Sequence, residues 1–265
     1  MMKNNTENRE GLWGFLGSPG LIYLGRVARF NVRRASRKLR WLSWFLWRTA
    51  VSSVSINPVG SQSRGYGLER CEIRYINIAA RVDRRAQIEE QFSGLRLEAA
   101  RIDAVAANPG VLGCAQSHVK ALSDSLPPGK ALMVCEDDLV FLLDRSKIDH
   151  LVEEFFENGA LDILCLAYNL RARPLPISQN LQITDNTQTT ACYIIKPSAI
   201  GTLRDCFSES VVMLLGGESP KHSAVDIVWK KLQGGKLIFS VPRERAGHQQ
   251  PGYSDIAGGF VDYGV

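Results

Sequence analysis

The chain has 265 residues and a formal net charge of +5. One sizeable core with an appendage fits that length, because single cores become uncommon beyond about 250 to 300 residues. A uniformly basic protein is excluded, since residues 11–68 hold nine Lys/Arg and no Asp/Glu while residues 69–265 hold 21 Lys/Arg against 25 Asp/Glu. The basic part suits anionic lipid or nucleic acid; the acidic part suits a metal-assisted site. Six cysteines (Cys71, Cys114, Cys135, Cys165, Cys192, Cys206) form no CxxC pair and show no zinc-finger spacing. Several lie in apolar runs, where a free thiol behaves as a small hydrophobe. The expectation is a cytoplasmic chain without disulfides.

Met1 to Glu10 is polar, and the apolar run Leu12 to Leu24 is broken by Gly14, Gly17, Pro19 and Gly20, so the start does not read as a secretory signal. Arg48 interrupts the next apolar run, Trp41 to Ile56, and a spanning helix needs roughly 20 unbroken apolar residues. No membrane crossing is expected. On a helix, Arg26, Arg29, Arg33, Arg37 and Arg40 form one stripe, followed by Trp41, Leu42, Trp44, Phe45, Leu46 and Trp47. Two readings stay open. Arginines and tryptophans together suit an interfacial helix on an anionic membrane surface, which makes the chain peripheral to the inner face of the membrane. Alternatively the tryptophans cover an apolar side of the catalytic domain. Nucleic acid is disfavoured, because the aromatics cluster instead of interleaving with the cations. The Ser/Gly/Asn-rich stretch Ser52 to Gly67 reads as a linker. The predicted division is therefore an extension over 1–67 and a catalytic domain over 68–265.

From Cys71 onward short apolar runs alternate with helical periods, the mark of an α/β domain with a mostly parallel, Rossmann-like sheet. Strands are predicted at Cys71 to Ala79, Leu95 to Asp103, Ala131 to Cys135, Leu161 to Ala167, Thr190 to Lys196 and Lys236 to Val241. Helices are predicted over Arg81 to Phe92, Leu112 to Leu126, Lys147 to Asn158, from Pro197, and around Ala224 to Leu232, with a polar loop at Asn169 to Gln188.

The run Ala131 to Cys135 delivers Glu136, Asp137 and Asp138 at its carboxyl end, where open α/β sheets bind ligands. Three adjacent anions repel unless a cation joins them, and oxygen donors favour magnesium or manganese. Strand alternation sends Glu136 and Asp138 to one side and Asp137 to the other. The competing reading is an acidic turn or helix start.

Four blocks in order resemble glycosyltransferase family 25, the lipooligosaccharide type related to the collagen galactosyltransferases. They are YINIAARVDRR (Tyr75 to Arg85), GVLGCAQSH (Gly110 to His118), ALMVCEDD (Ala131 to Asp138) and SDI (Ser254, Asp255, Ile256). TTACYIIKP (Thr189 to Pro197) is a looser match, with Cys192 where the family usually has a small residue. The resemblance covers roughly residues 71 to 256 and not the basic extension. It implies a GT-A-like fold and an inverting transfer from a nucleotide-sugar donor, UDP-galactose the commonest, with a manganese-type cofactor. The acceptor it implies is a lipooligosaccharide or another surface glycan.

On that resemblance Glu136 and Asp138 bind the metal, with His248 completing its shell, and Asp137 contacts the ribose or donor sugar. Asn77, Arg81 and Arg84, at the first strand-to-helix turn, suit the donor base and phosphates. The alternative for Arg81, Arg84 and Arg85 is a solvated helix face pairing with Glu89 and Glu90. Asp83 caps that helix. Ser117 and His118 lie on a helix whose Gly113, Cys114 and Ala115 permit close approach, so His118 either touches the donor phosphates or is a structural group. Asp226 is the candidate base for the acceptor hydroxyl, and the tail from His248 to Gly259 is a candidate lid. The competing function is an inactive sugar-nucleotide-binding or scaffold protein at the membrane surface. A metal-dependent phosphoesterase would want more His and Asp ligands.

Overall fold

The computed structural model describes residue 39 and residues 41–50, 66–254 and 258–262. The arginine stripe, most of the expected linker, and Asp255 and Ile256 lie outside the described residues. The chain divides into two units, Met1–Trp44 and Phe45–Val265. This division falls earlier than the expected boundary near Leu68. The reason is that Arg48 makes a bidentate ion pair with Asp162, at 2.5 and 3.0 Å, and Asp162 also accepts from the Ile238 amide at 2.8 Å. Residues 41–50 are helical. Phe45 is buried in the second unit, while Leu46 and Trp47 remain exposed.

Along the second unit β1 (Cys71–Asn77) leads into α2 (Val82–Gly94) and β2 (Ala100–Asp103), the residues 41–50 counting as α1. Next come α3 (Gly110–Ala121), β3 (Ala131–Glu136), β4 (Leu139–Phe141) and α4 (Arg145–Glu157). Asp144 caps α4 by accepting from the Lys147 amide at 2.9 Å. β5 (Ile163–Cys165) precedes the stretch expected as a polar loop. That stretch instead folds into β6 (Asn169–Leu170), β7 (Leu175–Pro176), β8 (Leu181–Thr184) and β9 (Thr187–Gln188). β10 (Cys192–Ile195), α5 (Pro197–Leu215), α6 (Pro220–Ser223) and α7 (Val225–Val228) follow. The unit closes with β11 (Phe239–Pro242), β12 (Gly247–Gln249), β13 (Gly252–Ser254) and β14 (Gly259–Val261).

Eight strands form the central sheet in the order β2-β1-β3-β10-β5-β11-β8-β7. Six point one way and β10 and β8 point the other, so the sheet is mixed, with antiparallel ladders at β3/β10, β10/β5, β11/β8 and β8/β7. The shared direction of six strands fits the expected mostly parallel α/β sheet, and the opposed direction of β10 has a local cause. No helix lies between β5 and β10, and a parallel neighbour needs a crossover of a dozen or more residues, usually helical.

β3, β10 and β5 are buried on both faces, as their continuous apolar runs require. On one side Tyr75 meets Phe92 of α2, with ring centroids 5.6 Å apart. Its neighbour Ile76 joins the opposite layer, where Tyr193, Phe207, Trp229 and Phe239 pack beneath α3 and α5. Gly113 lets α3 press against the loop after β2, because a Cβ there would collide with the Val105 carbonyl.

Candidate functional site

β3 ends at Glu136, and Asp137 and Asp138 turn into β4. Because the strand stops there, the alternation that would send Asp137 away from Asp138 does not hold. Arg84 Nη1 donates to both, at 3.0 Å to Asp137 Oδ1 and 3.1 Å to Asp138 Oδ2. Glu136 is the one set apart. Its Oε1 accepts from the Thr190 hydroxyl at 2.6 Å and lies 3.2 Å from His118 Nε2.

The surrounding elements hold this arrangement. Asn77, last residue of β1, donates to Asp137 Oδ2 at 2.7 Å and to the Arg81 carbonyl, while its own oxygen accepts from Arg101 Nε at 3.0 Å. β12 pairs with β4, which brings Gln249 Nε2 within 3.1 Å of Asp138 Oδ2 and the Gln250 amide within 2.7 Å of the Asp138 carbonyl. Arg84 Nη2 also donates to the Tyr253 carbonyl at 2.8 Å. Asp138 Oδ1 is buried and has no hydrogen-bond partner among the described residues.

All three acids line one cavity of about 340 Å³, shared with Arg84, Cys114, Ser117, His118, Gln249 and Ser254. A second cavity of about 310 Å³ is walled by Asn169, Arg171, Gln188, Thr189, Thr190 and Asp226. Cys114, Glu136 and Gln249 line both. A larger cavity, about 600 Å³, lies by the start of β1 among Glu69, Glu72, Arg96, Lys130 and Arg145. Its carboxylates, Glu69, Glu72 and Glu98, are not consecutive residues at the carboxyl end of a strand, so chemistry and not size selects the site.

Burial pushes the Asp138 carboxyl up to about 7, helped by the Glu136 charge and opposed by Arg84 and Gln249. Burial likewise raises Asp137 against the pull of Asn77 and Arg84. Burial also works against the Arg84 charge, but Asp138 and Asp137 outweigh it and raise its proton affinity. Glu136 differs: burial acts to raise it, yet the His118 and Thr190 contacts prevail and its carboxyl lies below the ordinary value. Asp226 is raised by burial and then by the Glu136 charge.

Of the expected site residues, Glu136, Asp137, Asp138, Arg84, Ser117 and His118 come together in the first cavity, and Asp226 faces Glu136 from the second. Ser117 spends its hydroxyl on the Gly113 carbonyl and the Val105 amide, at 2.6 and 2.8 Å, so it ties down the cavity wall. Arg81 pairs with Asp83 at 2.9 Å and lines neither cavity. His248 lies opposite Val140 in the β12/β4 ladder and lines neither cavity, because alternation along β12 turns the next residue, Gln249, inward.

The expected metal trio of Glu136, Asp138 and His248 is therefore not assembled. Asp137 and Asp138 are bridged by Arg84, and Asp138 Oδ1 is left without a partner among the described residues. Sequence reading missed Gln249, Thr190 and Cys114. For Cys114 a signal existed: it stands four residues before His118 on one helix face. The Cys114 sulfur, a His118 ring nitrogen and a Glu136 oxygen all lie within 4.8 Å of one another. Burial, followed by the charges of Glu136, Asp226 and Asp138, pushes the Cys114 thiol well above its ordinary value.

No protein-family model matches the chain, and no curated protein matches it.

Proposed function

We propose that this chain is an inverting, metal-dependent glycosyltransferase with a GT-A-like catalytic domain. Its nucleotide-sugar donor binds in the cavity at the end of β3 and its glycan acceptor in the adjoining one. The observation that carries the reading is the meeting of these two cavities at Glu136 and Gln249, with the acidic pair and Arg84 on one side and Asp226 on the other. Group transfer needs that layout: a place for a charged leaving group, a place for a nucleophile, and no bulk water between them.

The roles follow from the contacts. Arg84 bridges the acidic pair, offsetting one of its two charges, and offers a guanidinium toward a diphosphate. Asn77 positions Asp137. A divalent cation at Asp137 and Asp138, manganese on the family resemblance, would stabilise the charge that builds on the diphosphate as the sugar bond breaks. Asp226, with its proton affinity raised by burial and by Glu136, suits removal of the acceptor hydroxyl proton. Galactose as the sugar and lipooligosaccharide as the acceptor rest on the resemblance alone.

Exposed Leu46 and Trp47, following the stripe Arg26, Arg29, Arg33, Arg37 and Arg40, favour attachment to an anionic membrane surface. No described helix is long and apolar enough to cross a membrane. Sedimentation with anionic vesicles at low salt checks that attachment, and failure to sediment refutes it.

The deciding assay is nucleoside diphosphate release from a panel of nucleotide sugars, with manganese or chelator, with and without a cell-derived glycan. Metal-dependent, acceptor-stimulated release that Asp138→Ala abolishes is the expected result. Tight nucleotide binding with no release from any donor would replace the enzyme by a sugar-nucleotide-binding protein.

A further inference from the structure

Cys114 and His118 are one helical turn apart on α3, so their side chains leave the same face. That face meets Glu136 at the end of β3. The three potential ligand atoms lie within 4.8 Å of one another, and His118 Nε2 is already 3.2 Å from Glu136 Oε1. Two ligands of one tetrahedral zinc, at bond lengths of about 2.0 to 2.3 Å, stand roughly 3.3 to 3.6 Å apart. The histidine and glutamate are close to that spacing, and the thiol needs to close by at most about 1.5 Å.

The groups behind these three are those that orient ligands in metal centres. The Tyr193 hydroxyl sits 3.3 Å from His118 Nδ1, the ring nitrogen pointing away from Glu136, and the Thr190 hydroxyl donates to Glu136 Oε1 at 2.6 Å. Cys114 and Glu136 border both cavities, which leaves a fourth direction open at their junction.

We propose that Cys114, His118 and Glu136 form a site for a borderline-soft divalent metal, zinc fitting best, with its fourth position open at the junction of the two cavities. The site is distinct from the oxygen-only pair Asp137 and Asp138, because thiolate and imidazole select zinc over magnesium or manganese. It does not depend on glycosyl transfer. On binding, a sulfur–metal bond forms, the thiol proton passes to solvent, and the direct His118–Glu136 contact is replaced by bonds to a shared ion.

The test uses the full chain, stripped with chelator and titrated with cobalt(II). The expected result is a near-ultraviolet thiolate-to-cobalt absorption that saturates at one ion per chain and is displaced by zinc but not by magnesium. Cys114→Ser abolishes the band, Asp138→Asn keeps it, and Tyr193→Phe weakens cobalt affinity about 10-fold, as loss of an orienting group does. No band at saturating cobalt, or a band that survives in Cys114→Ser, overturns the proposal. X-ray absorption of the zinc-loaded native chain covers the case in which the serine variant fails to fold. One sulfur ligand supports the site and a shell without sulfur overturns it.

Discussion

Glu136 and the pair Asp137–Asp138 are consecutive in the chain, yet they inhabit two different environments. The pair is bridged by a guanidinium and capped by amide donors from Asn77 and Gln249. Glu136 is held by an imidazole and a hydroxyl, and it faces both cavities. The cause is the end of β3, where a pleated strand gives way to a turn and side-chain direction stops alternating. Three like charges in a row thus become an arginine-bridged pair and a separately held carboxylate.

Removing the guanidinium breaks the comparison most severely. Arg84→Ala leaves two buried carboxylates facing each other, and we expect a loss of about 3 kcal/mol, the low end for breaking a buried pair, in urea unfolding. On the proposed function, donor turnover should fall at least about 100-fold, the scale for removing one preorganised charge-stabilising group. If stability is unchanged, the pair is not held by Arg84.

The next effect is a pH dependence. The folded-state affinity of Asp138 for its proton is raised, to about 7. The stability it contributes is therefore fully present below the unfolded carboxylate value near 4 and is lost as pH rises toward about 7. In chelator, stability should fall across that window, and Asp138→Asn should flatten the fall. A slope of opposite sign, or one the variant leaves intact, would move the effect to another group.

On the other side of the comparison, Thr190→Val deletes the hydroxyl bond to Glu136. A hydrogen bond to a charged group contributes about 1.5 to 3 kcal/mol, so a loss near about 1.5 kcal/mol is expected by thermal unfolding. Arg84 variants and Thr190→Val should combine additively if the two environments are independent, and a double-mutant cycle measures that. The smallest contrast separates neighbours on β12. On the proposed function, Gln249→Ala should reduce metal-dependent turnover about 10-fold, the scale for loss of a group that orients a metal-binding carboxylate. His248→Ala should leave it almost unchanged, and the reverse result would mean that β12 is in the other register.

Much of the architecture was legible from pattern. The apolar runs at Cys71, Ala131, Leu161 and Thr190 became strands near their predicted places, and the carboxyl-terminal acids of β3 lie in a cavity. The region from Asn169 to Gln188 was read as loop because strands of two to four residues leave too short a period to detect, yet it walls the second cavity. The partners of the acids were harder to foresee. Arg84, Gln249 and Thr190 stand 54, 111 and 54 positions from the residues they bind.

By itself, the sequence determined the types of the longer elements, the placing of three acids at the end of a buried strand, and the basic, aromatic character of the extension. These depend on local periodicity and composition, which neighbouring residues carry. Only the tertiary structure decided that β10 runs antiparallel between β3 and β5, that Gln249 and not His248 faces Asp138, and that Cys114 and His118 meet Glu136. Each of those depends on a register or a direction set by packing between distant segments, and no local pattern encodes it.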